Sequence, residues 1–280
     1  PALAALARET GAQARALGPS SPREWQIWEF ASETAAREAR RQIEKHPGVE
    51  SVSVPGRRRL AARIPNDPEF AQQWAMLNTG QVMSGRAGAP GADIAAPDYW
   101  DANTGSAAVV VAIIDTGADV SHPDLAPNLW VNPGEIAGNG LDDDNNGYVD
   151  DIHGWATYNN TNTLTDTVNH GTAVASLVAA AGDNGVGMTG VAWSASLMIL
   201  NAYGPTGDTG DDKLVAAIDY AIANGARIIN ASWGGPEETD LLREGMERAR
   251  DAGVLVVAAA GNLHQNMDLF PGYPAAYRMP

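Results

Sequence analysis

Three residues whose types could share one reaction stand at separated points of the sequence. Asp115 follows the apolar run AAVVVAII in IIDTGADVSHPDL, His170 opens NHGTAVASLVAAA, and Asn262 ends AAAGN after VLVVAA. A carboxylate at the end of a buried strand is costly unless hydrogen-bonded or paired, so Asp115 is either structural or placed for use. An imidazole at a helix entry can accept and return a proton near neutral pH. A side-chain amide at a strand end can donate to a developing oxyanion. Taken singly, the acid and the histidine also have plain structural readings.

The elements that would position them alternate along the chain. Residues 107–114 are continuously apolar, as a strand covered on both faces should be. GTAVASLVAAA (171–181) reads as a small-residue helix and SLMIL (196–200) as the next strand. DDKLVAAIDYAIANG starts on acids, lines up Leu214, Ile218 and Ile222, and stops at Gly225. ARIINAS, an amphipathic helix over about 237–252 closed by Gly253, and VLVVAA complete the series. This order predicts an α/β fold with right-handed crossovers and a doubly wound, mostly parallel sheet. Chemistry in such sheets gathers at the carboxyl ends of strands, where Asp115, Ser232 and Asn262 fall.

The first part of the chain has a different character. It offers an Ala-rich candidate helix, a Gly-Pro-Ser-Ser-Pro break and EWQIWEF as a candidate strand. An amphipathic helix over 32–46, ended by Pro47-Gly48, and a short GVESVSV strand follow. Pro65-Asn66-Asp67-Pro68 reads as a linker, which divides the chain into 1–64 and 65–280. Residues 1–65 hold ten Arg and one Lys against seven Glu, a balance of +4, whereas the remainder holds seven basic against 27 acidic residues, a balance of −20. So acidic a larger part argues against nucleic acid and for cations. Two such segments could dock on each other, or simply present two solvated faces. With no cysteine there is neither a disulfide framework nor a thiolate metal site. No apolar run approaches a membrane span, and the first residues lack the pattern of a secretion signal. The sequence opens on Pro1 rather than Met, so an upstream segment is expected.

IIDTG, NHGT and AAAGN, in this order and at strand ends or a helix start, closely resemble the Asp, His and oxyanion-hole Asn motifs of the subtilisin-like serine proteases. INASWGG (229–235) resembles that family's substrate-binding Ser-Leu-Gly segment, with Trp233 in place of Leu. The resemblance covers 66–280 and implies a serine endopeptidase acting on a peptide or protein substrate. His170 would take the proton of a serine hydroxyl, Asp115 would hold the imidazole and its cation, and Asn262 would donate to the oxyanion. The Ser232-Trp233-Gly234 backbone would pair with an extended peptide as an added strand. Gly204 and Gly207 would line the other side of the cleft or serve as turn glycines. The family is mostly secreted, which sets that expectation of location.

Two features depart from the family. Its nucleophile lies in a Gly-Thr-Ser-x-Ala segment several dozen residues beyond the oxyanion Asn; none of the twelve serines here follows Gly-Thr. The nucleophile is therefore absent from these residues, and the sheet is expected to be unfinished as given. Ala173 also stands where the family usually has a second His.

DDDNNGYVDD (142–151) spaces Asp142, Asp144 and Asn146 alternately. Gly147 allows a sharp turn, Tyr148 would offer a carbonyl, and Asp150 follows. These are the first nine positions of an EF-hand loop, without its closing Glu, since His153 stands there. The reading is a Ca2+ site, against a bare solvated loop. A second Ca2+ site is implied by resemblance to thermitase-like family members: Asp67, Asp124 and Asn184 by side chain, and Ala181, Val186 and Met188 by carbonyl. Residues 1–64 resemble the end of a propeptide, cleaved near Ile64 to Asn66 to release the chain's own inhibitor. Two other readings stay open. An aspartic protease would use Asp115-Thr116-Gly117, but needs an all-β fold and a second such triplet. A noncatalytic, calcium-stabilised peptide-binding relative needs no serine.

Overall fold

The computed structural model describes residues 2–16, 26–53 and 62–279. The chain divides into two compact units, residues 1–58 and 59–280. In the first, α1 (Ala2–Glu9) leads into β1 (Gln13–Ala16), which pairs antiparallel with β2 (Gln26–Glu29). The α2 helix (Glu33–Ile43) starts where the Ser32 hydroxyl accepts the Ala35 N–H, carries Glu33 in its first turn and ends on Arg40 and Arg41, all favourable to the helix dipole. Leu6, Ala39 and Ile43 form its small core. GVESVSV does not form the expected strand over its described residues: Val49 and Val52 pack on that core, and the ladder is supplied by β1 and β2 instead. The Gly-Pro-Ser-Ser-Pro break and Val54 lie outside the described residues.

The second unit opens with a segment that is tied to it before the expected junction. The Arg63 N–H donates to the Pro97 carbonyl, and its guanidinium pairs with Asp183 at 3.0 Å and stacks on Trp193. After a two-rung hairpin of β3 (Val82–Met83) and β4 (Arg86–Ala87), α3 (Ala96–Trp100) sets Trp100 against Phe70 and Trp193. Then β5 (Val110–Asp115), β6 (Gly154–Trp155), α4 (His170–Ala179), β7 (Ser196–Asn201), α5 (Asp211–Ala223), β8 (Ile228–Ala231), α6 (Asp240–Asp251) and β9 (Leu255–Ala258) alternate as expected.

The five strands form a parallel sheet in the order β6-β7-β5-β8-β9. Successive strand side chains point to opposite faces, and the packing follows that alternation. Val111 and Ile113 of β5 meet Ala175 and Ala179 of α4 on one face; Ala112 and Ile114 meet Leu214, Ile218 and Met246 of α5 and α6 on the other. The chain leaves β5 for β7 on one side, then crosses through α5 to β8 on the other, so the strand order reverses beside the end of β5. Asp115 is the last residue of that strand. At the opposite margin β9 is hydrogen-bonded to β8 alone among the described strands, and Leu255 and Val257 are 60% and 50% exposed.

Candidate active site

The end of β5 and the start of α4 bring together the acid and the imidazole. Asp115 is buried, and its Oδ1 lies 2.7 Å from His170 Nδ1 and accepts the Thr116 N–H at 2.8 Å. A carboxylate at that distance places the imidazole proton on Nδ1 and leaves Nε2 free to accept one. The ring is half exposed, and the second carboxylate oxygen is buried without a partner among the described residues.

The pair opens on a cleft of about 250 Å3 lined by Asp115, Thr116, Val168, His170, Tyr203, Gly207, Ser232 and Trp233. Burial, with the Asp115 charge nearby, pushes the Tyr203 phenol well above its usual range, so it stays neutral. Ser232 directly follows β8 and its Oγ accepts from Asn230 Nδ2. The Trp233 indole N–H donates to the Ile114 carbonyl at 2.9 Å, which pins the cleft segment to the strand carrying Asp115. Gly234 lies close under the Tyr273 carbonyl, and Gly235 exchanges two backbone hydrogen bonds with Tyr273. Of the two loop glycines, Gly207 lines the cleft. Gly204 does not: it is buried so close to the Tyr158 ring that a Cβ would meet it at 2.7 Å. Asn262 is exposed beyond Gly261 and is not among the cleft-lining residues: the Ala259 N–H still bonds to the Ala231 carbonyl of β8, but residues 260–266 belong to no described strand.

Carboxylates gather at two further places. Glu135, Asp142 and Asp144 each offer an oxygen within 4.8 Å of the others. Asp142 also accepts the Asn146 and Gly147 N–H groups, and the Asn146 oxygen is engaged by the Tyr148 N–H. Asp150 departs from the EF-hand expectation. Its carboxylate accepts the N–H groups of Gly138, Asn139 and Gly140, so it caps the preceding turn and is not one of the three clustered carboxylates. Glu135 takes part instead, from seven residues before the acidic run, where a window on consecutive residues does not reach. His153, in the closing position, bonds through Nδ1 to the Trp130 carbonyl. Beneath the loop, fully buried Asp151 accepts from Asn132, Asn146 and the Tyr220 hydroxyl. Tyr220→Phe leaves that buried oxygen short of a donor, and an expected loss of about 1–3 kcal/mol should appear as a lower urea midpoint.

Asp67 and Asp124 are both buried, 4% and 0% exposed, and face the loop after α4. Asp67 Oδ2 accepts the Asp183 N–H while Oδ1 is buried without a partner among the described residues. Asp124 accepts from Asn184 Nδ2 and the Met188 N–H, and its own carbonyl accepts the Ala181 N–H. The Asn184 oxygen is taken by the Val186 N–H, so the amide presents nitrogen to Asp124 rather than the expected oxygen. Two buried carboxylates with one orphaned oxygen and no basic partner among the described residues suit a hard cation.

A doubly wound sheet with an acid closing its central strand, bonded to a histidine at a helix start, defines the frame of a subtilisin-type serine protease. The pattern of the subtilase family matches residues 106–279, and the chain belongs to that family. It is 37% identical over 187 residues to the major intracellular serine protease of Bacillus subtilis, covering 66% of this chain and 53% of that protein. It is 36% identical over 186 residues to an intracellular serine protease of Paenibacillus polymyxa, covering 66% and 51%. It is 37% identical over 155 residues to subtilisin-like protease 1 of Plasmodium vivax, covering 54% and 24%. The match thus spans from about a quarter to about half the length of these relatives.

Proposed function

We propose that this chain supplies the proton-handling half of a serine endopeptidase that cleaves peptide or protein substrates. The 2.7 Å contact of Asp115 with His170 at the mouth of the cleft carries this reading. His170 Nε2 would accept the hydroxyl proton of the nucleophile as it attacks the peptide carbonyl, then pass it to the leaving amine. Asp115 keeps the tautomer and stabilises the cation. The Asn262 amide would donate to the oxyanion, an interaction typically contributing about 3–4 kcal/mol to lowering the barrier. The backbone of Ser232, Trp233 and Gly234 would hold the substrate as an added strand.

Calcium is assigned to Asp67 and Asp124 with the 181–188 loop, where the orphaned Asp67 oxygen fits it, and to Glu135, Asp142 and Asp144. Bound there, it would neutralise clustered charge and hold the loops. Residues 1–64 are assigned as a propeptide, a partner to the second unit until cleavage. A second reading is a peptide-binding module without catalysis, using the same cleft wall of Ser232 and Trp233.

An active-site serine phosphonate separates the two. The protease reading expects no labelling of this chain and labelling of a longer gene product at a Gly-Thr-Ser-x-Ala serine. Labelling of this chain would sink the nucleophile argument. A longer product that binds peptide but takes no label would establish the module.

A further inference from the structure

Behind the cleft, a short set of hydrogen bonds joins the strand end that carries Asp115 to the helix start that carries His170. Its centre is Asp166, partly buried in the turn before α4. Asp166 Oδ1 accepts the N–H groups of Val168 at 3.0 Å and Asn169 at 2.8 Å and the Thr116 hydroxyl at 2.9 Å. Its Oδ2 accepts the Thr172 N–H at 2.9 Å and the Thr172 hydroxyl at 2.7 Å. Burial pushes this carboxyl up, but the bonds from Thr172, Thr116 and Val168 outweigh it and hold it below the usual carboxylate range.

Part of this is helix capping. Asn169 occupies the N-cap of α4 with a left-handed backbone and caps nothing with its side chain, so Asp166 supplies the acceptor for the first turn. A plain cap would end at Thr172. The bond to Thr116 reaches further, because Thr116 adjoins Asp115 and gives it a backbone N–H, while the Thr116 hydroxyl accepts the N–H of Gly171, the neighbour of His170. A hydroxyl has one proton. Asp166 takes it, which turns a lone pair toward Gly171 and closes the link between strand end and helix start.

We infer that Asp166 is a positioning residue, fixing the imidazole of His170 opposite the carboxylate of Asp115 by orienting the Thr116 hydroxyl between them. The inference rests on the proposed role of the Asp115–His170 pair, but it can be tested without peptide hydrolysis. In proton NMR of the 280-residue chain, His170 Nδ1–H should give a low-field signal, assigned by its loss in Asp115→Asn. Asp166→Ala is expected to speed exchange of that proton with water roughly tenfold or to broaden the signal away. Thr116→Val should do the same, the double variant no more than either single one, and Thr116→Ser should keep the signal. If Asp166→Ala lowers stability yet leaves the signal and its exchange as in the wild type, Asp166 is a helix cap alone and the inference fails. Should Asp166→Ala not fold, Thr116→Val decides: an unchanged signal overturns the proposal. A wild-type chain without the signal overturns the pair and this inference together, whereas an intact signal in Asp166→Ala overturns this inference alone.

Discussion

Calcium at a hundredfold excess over its dissociation constant is expected to raise the melting temperature of the second unit by about 5–10 °C. Saturation to that degree adds about 2.7 kcal/mol, and each kcal/mol moves a unit of this size by about 2–4 °C. The effect should be this large because the protein has already placed Asp67 and Asp124 out of water, where their carboxylates accept only from neutral donors among the described residues. Their charges repel, and Asp67 Oδ1 has no donor among the described residues. A divalent oxygen-seeking ion removes both penalties. Calorimetry in calcium and in a chelator measures the shift. Asp124→Asn should lose most of it, whereas Asp142→Asn, in the exposed acidic loop, should keep most of it. If Asp124→Asn responds to calcium as the wild type does, the buried pair is not the site.

Gly171→Ala is expected to cost about 2–3 kcal/mol and to break the Asp115–His170 hydrogen bond. Gly171 is the second residue of α4, and alanine improves on glycine by up to about 1 kcal/mol within a helix, so intrinsic propensity predicts the opposite sign. Packing decides here. A Cβ on Gly171 would lie 2.1 Å from the Gly117 carbonyl oxygen and 3.1 Å from Asp115 Cβ. The first obstacle is backbone in a glycine turn with φ of +95°, itself wedged against the Leu164 carbonyl, and it cannot swing aside like a side chain. Helix α4 must therefore move off β5 by about 1 Å, which stretches a 2.7 Å contact beyond hydrogen-bonding range. A lower urea midpoint and loss of the low-field His170 proton should appear together. Gly225→Ala is the control, since no atom lies within 4 Å of its added Cβ and only the positive φ is strained. Equal effects from both would show that the close approach of α4 to Asp115 does not matter.

The layered sheet was legible because its signals are local. Val111 to Ile114 is apolar at every position because helices cover both faces, and Asp115 breaks that run where the strand ends. The histidine was legible by its place at the start of a small-residue helix that packs flat on β5. What escaped depends on residues far apart in sequence. Asp166 looks like any acid in a polar turn until donors from Thr116, Val168, Asn169 and Thr172 converge on it. Glu135 belongs with Asp142 and Asp144 only because the intervening loop folds back, and the same fold sends Asp150 to cap residues 138–140. Arg63 precedes a stretch that reads as a linker, yet its backbone and guanidinium anchor it to residues 97 and 183.

The margin of the sheet at β9 bears on how this polypeptide behaves in a tube. A strand with one row of peptide groups unclaimed among the described residues, flanked by Leu255 and Val257 in contact with water, is a template for any extended chain that drifts against it. A surplus of twenty negative charges on residues 66–280 keeps copies apart at low ionic strength. Salt screens that repulsion within about 10 Å at 0.1 M and leaves the apolar margin to act. The colloidal lifetime of the chain is thus set by ionic strength more than by its folding free energy.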